Sequence, residues 1–365
     1  MTSSATSSVR SRPRRTLIED IVDHDVSIGE VTLTSGTIVP DVVQRVTVHG
    51  TPRADGANIV LAPHALTGSS RVIDWWAGFV GEGTLFDPQR WCIVGVNTLG
   101  GCYGSTGPTT LAPDGRRWGP RFPIVTVEDM VDAQRRALAA VGIERLAVVV
   151  GGSLGGFQAL SWAQRHRDAV AHAIVIGAHD HLRAQAIAQN GLAREAIRLD
   201  PAFREGWYDE SPERGLKLAR AIATLTYKSE ELFERRFANR PDRGGGDPAR
   251  RLDDRFDVDG YLAYQGVRFA ARMDANTYRT LTRAMDLFDL RGAEHPAGPT
   301  RLTFVGITGD QLFFPAHIRA VAERWNAAGW RASYREMLSD HGHDAFLAES
   351  AQLGELLRDA VEAGA

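Results

Sequence analysis

The chain has only two cysteines in 365 residues, Cys92 and Cys102, too few for a disulfide framework or a thiolate zinc site. Both are expected to be reduced and structural, and no metal site is expected. Long apolar runs are also missing. No stretch approaches the ~20 apolar residues of a membrane-spanning helix, and the first residues lack the apolar core of a signal peptide. A cytoplasmic protein is the expectation. Excess charge of one sign is absent as well. A formal net charge of −3 gives no broad cationic field to hold nucleic acid or an anionic membrane, so an anionic ligand would have to be bound locally. Residues 1–15 have almost no apolar side chains to offset their ordering entropy and are expected to form a disordered tail.

What is present is 43% hydrophobic residues, enough for one large core with an elaboration. Short apolar runs at 58–62, 92–96, 146–150, 173–176 and 302–306 suit strands covered on both faces. Helical patterns lie between several of them, notably 127–141, which opens on Glu128 and Asp129 and stops at Gly142, and 156–166. This alternation predicts an α/β fold with a mostly parallel, doubly wound sheet. From about 180 to 297 long helical patterns appear without buried strand runs. That segment is expected to be a helical lid, inserted into a core formed by 16–179 and 298–365.

The most specific local pattern is Gly151-Gly-Ser-Leu-Gly155, a G-x-S-x-G between a predicted strand and a predicted helix. The sharp turn of a nucleophile elbow requires that context, because nearly side-chain-free neighbours let a serine stand above the sheet at a helix N-terminus. The plain alternative is a glycine-rich structural turn. A serine hydroxyl needs a base, and the base needs an acid to hold its tautomer. In this fold they follow in the order Ser, Asp or Glu, His. Asp310, just past the strand at 302–306, and His343, in a glycine-flanked loop before the last helix, complete a Ser153, Asp310, His343 set. Asp340 and His341 are read as solvated loop residues. Two backbone donors for an oxyanion are expected from Leu154, after the nucleophile, and from the 63–68 loop at Leu66. His64 in that loop is read as a brace.

Beyond this point the residues alone leave an esterase-like machine with an unknown acceptor. Several segments, however, resemble those of homoserine O-acetyltransferases: 64–68 (HALTG), 97–108 (NTLGGCYGSTGP), 151–156 (GGSLGG), 225–230 (LTYKSE), 274–278 (DANTY) with 282–288, and 342–347 (GHDAFL). The resemblance implies the α/β-hydrolase fold and acetyl transfer from acetyl-CoA to the hydroxyl of L-homoserine through a ping-pong acyl-serine mechanism. It further implies a place in methionine biosynthesis and a homodimer formed through the lid. CoA enters as a substrate, with no bound cofactor. The resemblance carries the triad onto Ser153, Asp310 and His343, and amino-acid binding onto Arg220 and Asp344. Tyr227, seven residues after Arg220, is expected two helical turns along the same face, where both could bind the substrate carboxylate. Asp344, next to His343, is then placed for the ammonium. Leu154 stands where the family usually has Met, and Tyr103 varies among relatives. Enzymes that acylate serine or use succinyl-CoA share most of these motifs, and a hydrolase would use the same triad with water.

Overall fold

The computed structural model describes residues 21–294 and 296–363, so the expected tail at 1–15 lies outside the described residues. Eight strands form one sheet: β1 (Ile21–Thr32), β2 (Ile38–His49), β3 (Ile59–Leu61), β4 (Cys92–Val96), β5 (Leu146–Gly152), β6 (Val170–Ile176), β7 (Arg301–Ile307) and β8 (Arg331–Met337). Their order is β1-β2-β4-β3-β5-β6-β7-β8. From β4 through β8 neighbours run parallel, while β1 and β2 add an antiparallel hairpin at one edge.

The central runs are apolar because helices cover both faces. Val60, Val148, Val150, Ile174 and Ile176 pack on one side with Trp76, Phe79 and Leu353. Leu61, Val149, Ala173 and Val175 point the other way, against Met130, Leu138, Phe157 and Leu160. Strand periodicity thus puts alternate residues into two cores. The apolar-run reading found β3 to β7 and missed β1, β2 and β8. Those lie at or next to the sheet's two edges, where polar residues interrupt the apolar run: β8 reads Arg-Ala-Ser-Tyr-Arg-Glu-Met, with only Met337 buried.

Eleven α-helices lie among the described residues: α1 (Val72–Trp75), α2 (Val127–Ala140), α3 (Leu154–Arg165), α4 (Ala184–Arg198), α5 (Glu213–Thr224), α6 (Glu230–Arg236), α7 (Asp257–Ala270), α8 (Ala275–Leu287), α9 (Pro315–Ala327), α10 (Ala345–Ala348) and α11 (Ser350–Glu362). None is long and apolar enough to cross a membrane. Helix α3 begins at Leu154, two residues before the sequence pattern suggests. Helices α4 to α8 all fall between β6 and β7, and the ends of that segment are joined side by side. The Leu182 N–H donates to the Phe288 carbonyl at 3.2 Å and the Leu290 N–H to the Asp180 carbonyl at 2.7 Å. The segment therefore leaves and rejoins the sheet at one place.

The edge hairpin is fastened to the core through α2. Thr126 and Asp129 form a reciprocal cap at its start. The same carboxylate accepts from the Thr34 N–H at 2.7 Å and the Thr34 hydroxyl at 2.8 Å. One buried charge thus closes a helix and holds a turn 95 residues away. Asp129→Ala should lower the unfolding free energy by about 1–3 kcal/mol, since it removes the cap and both hydrogen bonds to Thr34. Urea unfolding followed by circular dichroism measures this; a loss below 0.5 kcal/mol, within the ordinary scatter of surface substitutions, would refute it.

Candidate active site

Strand β5 ends at Gly152 and α3 begins at Leu154, so the chain reverses at Ser153. Ser153 has φ 58° and ψ −121°, a conformation that costs a non-glycine residue on the order of 1–3 kcal/mol. Packing imposes it. A Cβ on Gly151 would lie 2.3 Å from the Gly155 carbonyl, and one on Gly155 would lie 2.2 Å from the Pro63 carbonyl oxygen. The Ser153 N–H donates to the Ile176 carbonyl at 3.0 Å, tying the turn to β6.

The Gly155–Pro63 approach also brings the loop after β3 against the start of α3. Leu66 from that loop and Ser153 line the same cavity. His64 is buried there, with Nδ1 2.8 Å from the Ala65 carbonyl and Nε2 3.1 Å from the Thr98 N–H. An amide N–H can only donate, so Nε2 accepts and Nδ1 carries the proton. Burial pulls its pKa down to about 4. A neutral, doubly bonded ring is a brace, as the sequence suggests.

Asp310 follows β7. One carboxylate oxygen accepts from the N–H groups of Leu312 and Phe313, both at 2.8 Å, and the other lies 2.8 Å from His343 Nδ1. These contacts place the proton on Nδ1 and leave Nε2 with a free lone pair. The imidazole lies in a short 3-10 turn, Gly342–Asp344, with the rings of Phe313, Phe346 and Tyr227 at 5.2, 5.7 and 5.9 Å. Burial alone would lower the His343 pKa. The Asp310 charge and hydrogen bond, with the Asp344 charge, outweigh it and hold the pKa above its ordinary value.

Ser153 and His343 share a cavity of about 670 Å³, which has Trp75 and Phe346 on the core side and Arg220, Tyr227, Arg268, Phe269 and Arg272 on the inserted side. Arg220 lies 5.0 Å from the Tyr227 ring and 5.5 Å from the Phe269 ring, and has no carboxylate partner within ion-pair distance among the described residues. Tyr227 is not on the same helix as Arg220, contrary to the expected spacing. The Thr224 hydroxyl takes up the Arg220 carbonyl at 2.7 Å, α5 ends, and two tight turns carry Tyr227 back over the guanidinium. Asp344 lines the cavity as expected and also pairs with Lys228 at 3.2 Å. A chamber of about 30 Å³ that shares Leu66, Ser153 and Tyr227 with this cavity is lined by Leu182, Ala193, Tyr278, Met285 and Leu312, with Gln189, Asn190 and Thr226 among its polar members.

The α/β hydrolase fold model matches residues 58–350. A homoserine O-succinyltransferase from Aromatoleum aromaticum is 41% identical over 89% of this chain and 92% of its own. A homoserine O-acetyltransferase from Haloferax gibbonsii is 39% identical over 98% of this chain and 92% of its own. The chain belongs to the homoserine O-acyltransferase family. Among solved structures, the acetyl esterase MekB superposes with a TM-score of 0.78 at 27% identity, over 93% of this chain and 95% of that one.

Several further residues support the site, most of them outside the motifs. Gln158 donates to the carbonyls of Leu154 at 3.3 Å and His64 at 3.5 Å, and accepts from Gln134, which in turn accepts from the Trp162 indole. This buried chain fixes the loop and the helix start relative to each other. Arg272 donates to the Thr67 carbonyl at 2.6 Å, and the Tyr103 hydroxyl donates to the Arg272 carbonyl at 2.7 Å, so the inserted segment is tied to the same loop. Asp340 and His341 flank His343 without joining it. Asp340 pairs with Arg235 at 2.5 Å, so it is a bridged loop charge more than a freely solvated one.

The raised His343 pKa has a definite sign. The folded state holds that proton more tightly than the unfolded chain, so the contribution to stability is full below about pH 6.5 and is lost as pH rises through the folded value. NMR titration should place the His343 midpoint above 6.5 in the wild type. Asp310→Asn should lower it, because burial then acts without the opposing charge; a midpoint unmoved by that substitution would disprove the coupling.

Proposed function

We propose that the chain transfers an acetyl group from acetyl-CoA to the hydroxyl of L-homoserine, releasing CoA and O-acetyl-L-homoserine through an acyl-enzyme at Ser153. The observation that carries this reading is that one cavity holds Ser153, His343 backed by buried Asp310, an arginine without a carboxylate partner among the described residues, and the Asp344 carboxylate. His343 Nε2 takes the Ser153 proton as Oγ attacks the thioester carbonyl. The N–H groups of Leu66 and Leu154 receive the oxyanion. Collapse breaks the carbon–sulfur bond, and the imidazolium gives its proton to the departing thiolate. The homoserine hydroxyl then loses its proton to His343 and attacks the acyl-serine. The second collapse returns that proton to Ser153.

A zwitterion must have both charges met in a partly desolvated cavity. Arg220, flanked by Tyr227, is assigned to the carboxylate and Asp344 to the ammonium, with Lys228 completing the local charge balance. Helices α4 to α8 act as a lid over this cavity in the 180–297 segment. Exposed Leu218, Tyr264 and Val267 on α5 and α7 support a homodimer through the same segment. A cytoplasmic role in methionine biosynthesis completes the reading.

Hydrolysis is the second reading, favoured by the likeness to an acetyl esterase. Thiol release from acetyl-CoA, measured with and without L-homoserine, separates the two. The expected result is a single burst without the amino acid, an acetyl adduct on the Ser153 peptide by mass spectrometry, and steady release once homoserine is added. Equal steady release in both cases would make the chain a hydrolase. Ser153→Ala should abolish the adduct. Arg220→Ala and Asp344→Asn should slow transfer by ~2–5 kcal/mol of lost binding while the adduct still forms.

The donor is assigned from the chamber beside Ser153. It is small, about 30 Å³, and its lining contains no cation to offset a succinyl carboxylate. Competition between the two thioesters at equal concentration should favour acetyl-CoA by at least tenfold; a preference for succinyl-CoA would overturn the assignment.

A further inference from the structure

A second cavity, of about 400 Å³, shares no lining residue with the one around Ser153. It is within the size range of small-molecule sites. Helices α4 and α8 contribute four arginines to it, Arg194, Arg198, Arg279 and Arg283, against one acid, Glu195. Arg198 is neutralised by Glu195 at 2.7 and 2.5 Å, and Arg194 lies 2.6 Å from buried Asp286. Two cations remain. Among the described residues, Arg279 reaches the Asn276 side-chain oxygen at 3.3 Å and the Phe203 ring at 4.8 Å, and forms no ion pair. Among the described residues, Arg283 reaches no carboxylate closer than Asp286 at 3.8 Å. Half-buried Arg279 has its pKa lowered by burial and by the Arg194 and Arg283 charges, the position of a cation that lacks an anion. The facing wall is apolar, with Pro120, Phe122, Pro123 and Ile124.

We propose that this cavity is a second binding site for a phosphorylated small molecule, with its phosphate on Arg279 and Arg283 and its apolar part against Phe122 and Ile124. A phosphate matches both the charge excess and the planar donors of arginine. The site abuts the acyl chamber. Helix α4 presents Gly191 and Arg194 to the arginine cavity and Asn190 and Ala193 to the chamber, and α8 divides its faces likewise. Asp286 links the two, accepting from the Asn190 amide at 2.9 Å while facing Arg194. An anion seated on Arg279 and Arg283 competes with Asp286 for Arg283, 3.8 Å away, and so changes the charge around the carboxylate that holds Asn190, coupling occupancy to the chamber beside Ser153.

The test uses the full chain with saturating CoA, so that the Ser153 cavity is filled, and calorimetric titration with AMP and with inorganic phosphate. AMP should bind, more weakly as salt rises, and more tightly than phosphate because it also covers the apolar wall. Equal affinity would keep the site and make free phosphate its ligand. Arg279→Gln combined with Arg283→Gln should weaken AMP at least tenfold while thiol release from acetyl-CoA and the thermal midpoint stay unchanged. Should the pair not fold, the exposed Arg283→Gln alone should still weaken AMP at least threefold. No binding at millimolar AMP, binding abolished by CoA, or binding retained by the variants would overturn the site. An acylation rate at Ser153 that shifts less than twofold with AMP bound would overturn the coupling.

Discussion

A serine held at φ 58° between a buried strand and a helix is a local cost that the rest of the fold must meet. β5 and β6 meet it by fixing the approach of the chain, since the Ser153 amide is spent on the Ile176 carbonyl. The absence of side chains at 151 and 155 meets it by letting the turn close on itself and on Pro63. The remaining geometry follows from this turn. Because Gly155 touches the loop after β3, the expected donors at Leu66 and Leu154 arise from a single contact and not from two independently placed loops. The chain of Gln158, Gln134 and Trp162 beneath it is fully satisfied, so it rigidifies where a half-bonded network would weaken.

Charge is distributed around that turn in a way that separates chemistry from recognition. On the core side, Asp310 is saturated by two amides and one imidazole, leaving it little capacity for anything else. On the inserted side, Arg220, Arg268 and Arg272 face the same cavity, and of these Arg272 is committed to Thr67. Arg220 keeps its donors because aromatic rings, and not carboxylates, hold it in place. An arginine positioned by stacking remains available to a ligand in a way that one locked in an ion pair is not.

The sequence made the parallel core legible because burial on both faces forces unbroken apolar runs. The same logic hid β1, β2 and β8, at or next to the sheet's edges, where polar residues interrupt the run. The positions of Ser153, Asp310 and His343 could be read from turn chemistry at strand ends, which is local. What could not be read is contact between distant segments. Lys228 beside Asp344, 116 residues away, leaves no local trace. The Gln134–Gln158 pair resembles two solvated helix positions until the helices are packed. Tyr227 departs from the helical spacing because α5 ends at Thr224 and two tight turns follow it. Motif agreement across the family supplied the acceptor assignment, which no spacing argument could.

The same serine, histidine and aspartate would serve water or an alcohol, so the outcome is decided by competition at the acyl-enzyme. Water is present at far higher concentration than any metabolite, and the acceptor must win by orientation. Fixing a hydroxyl within reach of the acyl carbon supplies effective molarities of up to ~10⁵–10⁸ M, enough to reverse that ratio. Such fixing needs two anchors on opposite sides of the reacting hydroxyl. In the proposed assignment these are Arg220, from the inserted helices, and Asp344, from the loop that carries His343, so the two belong to segments that meet only when α5 to α7 pack over the core. On this reading a loosened lid costs acceptor orientation before it costs acylation, and the choice between transfer and hydrolysis rests on the helices between β6 and β7 more than on the triad.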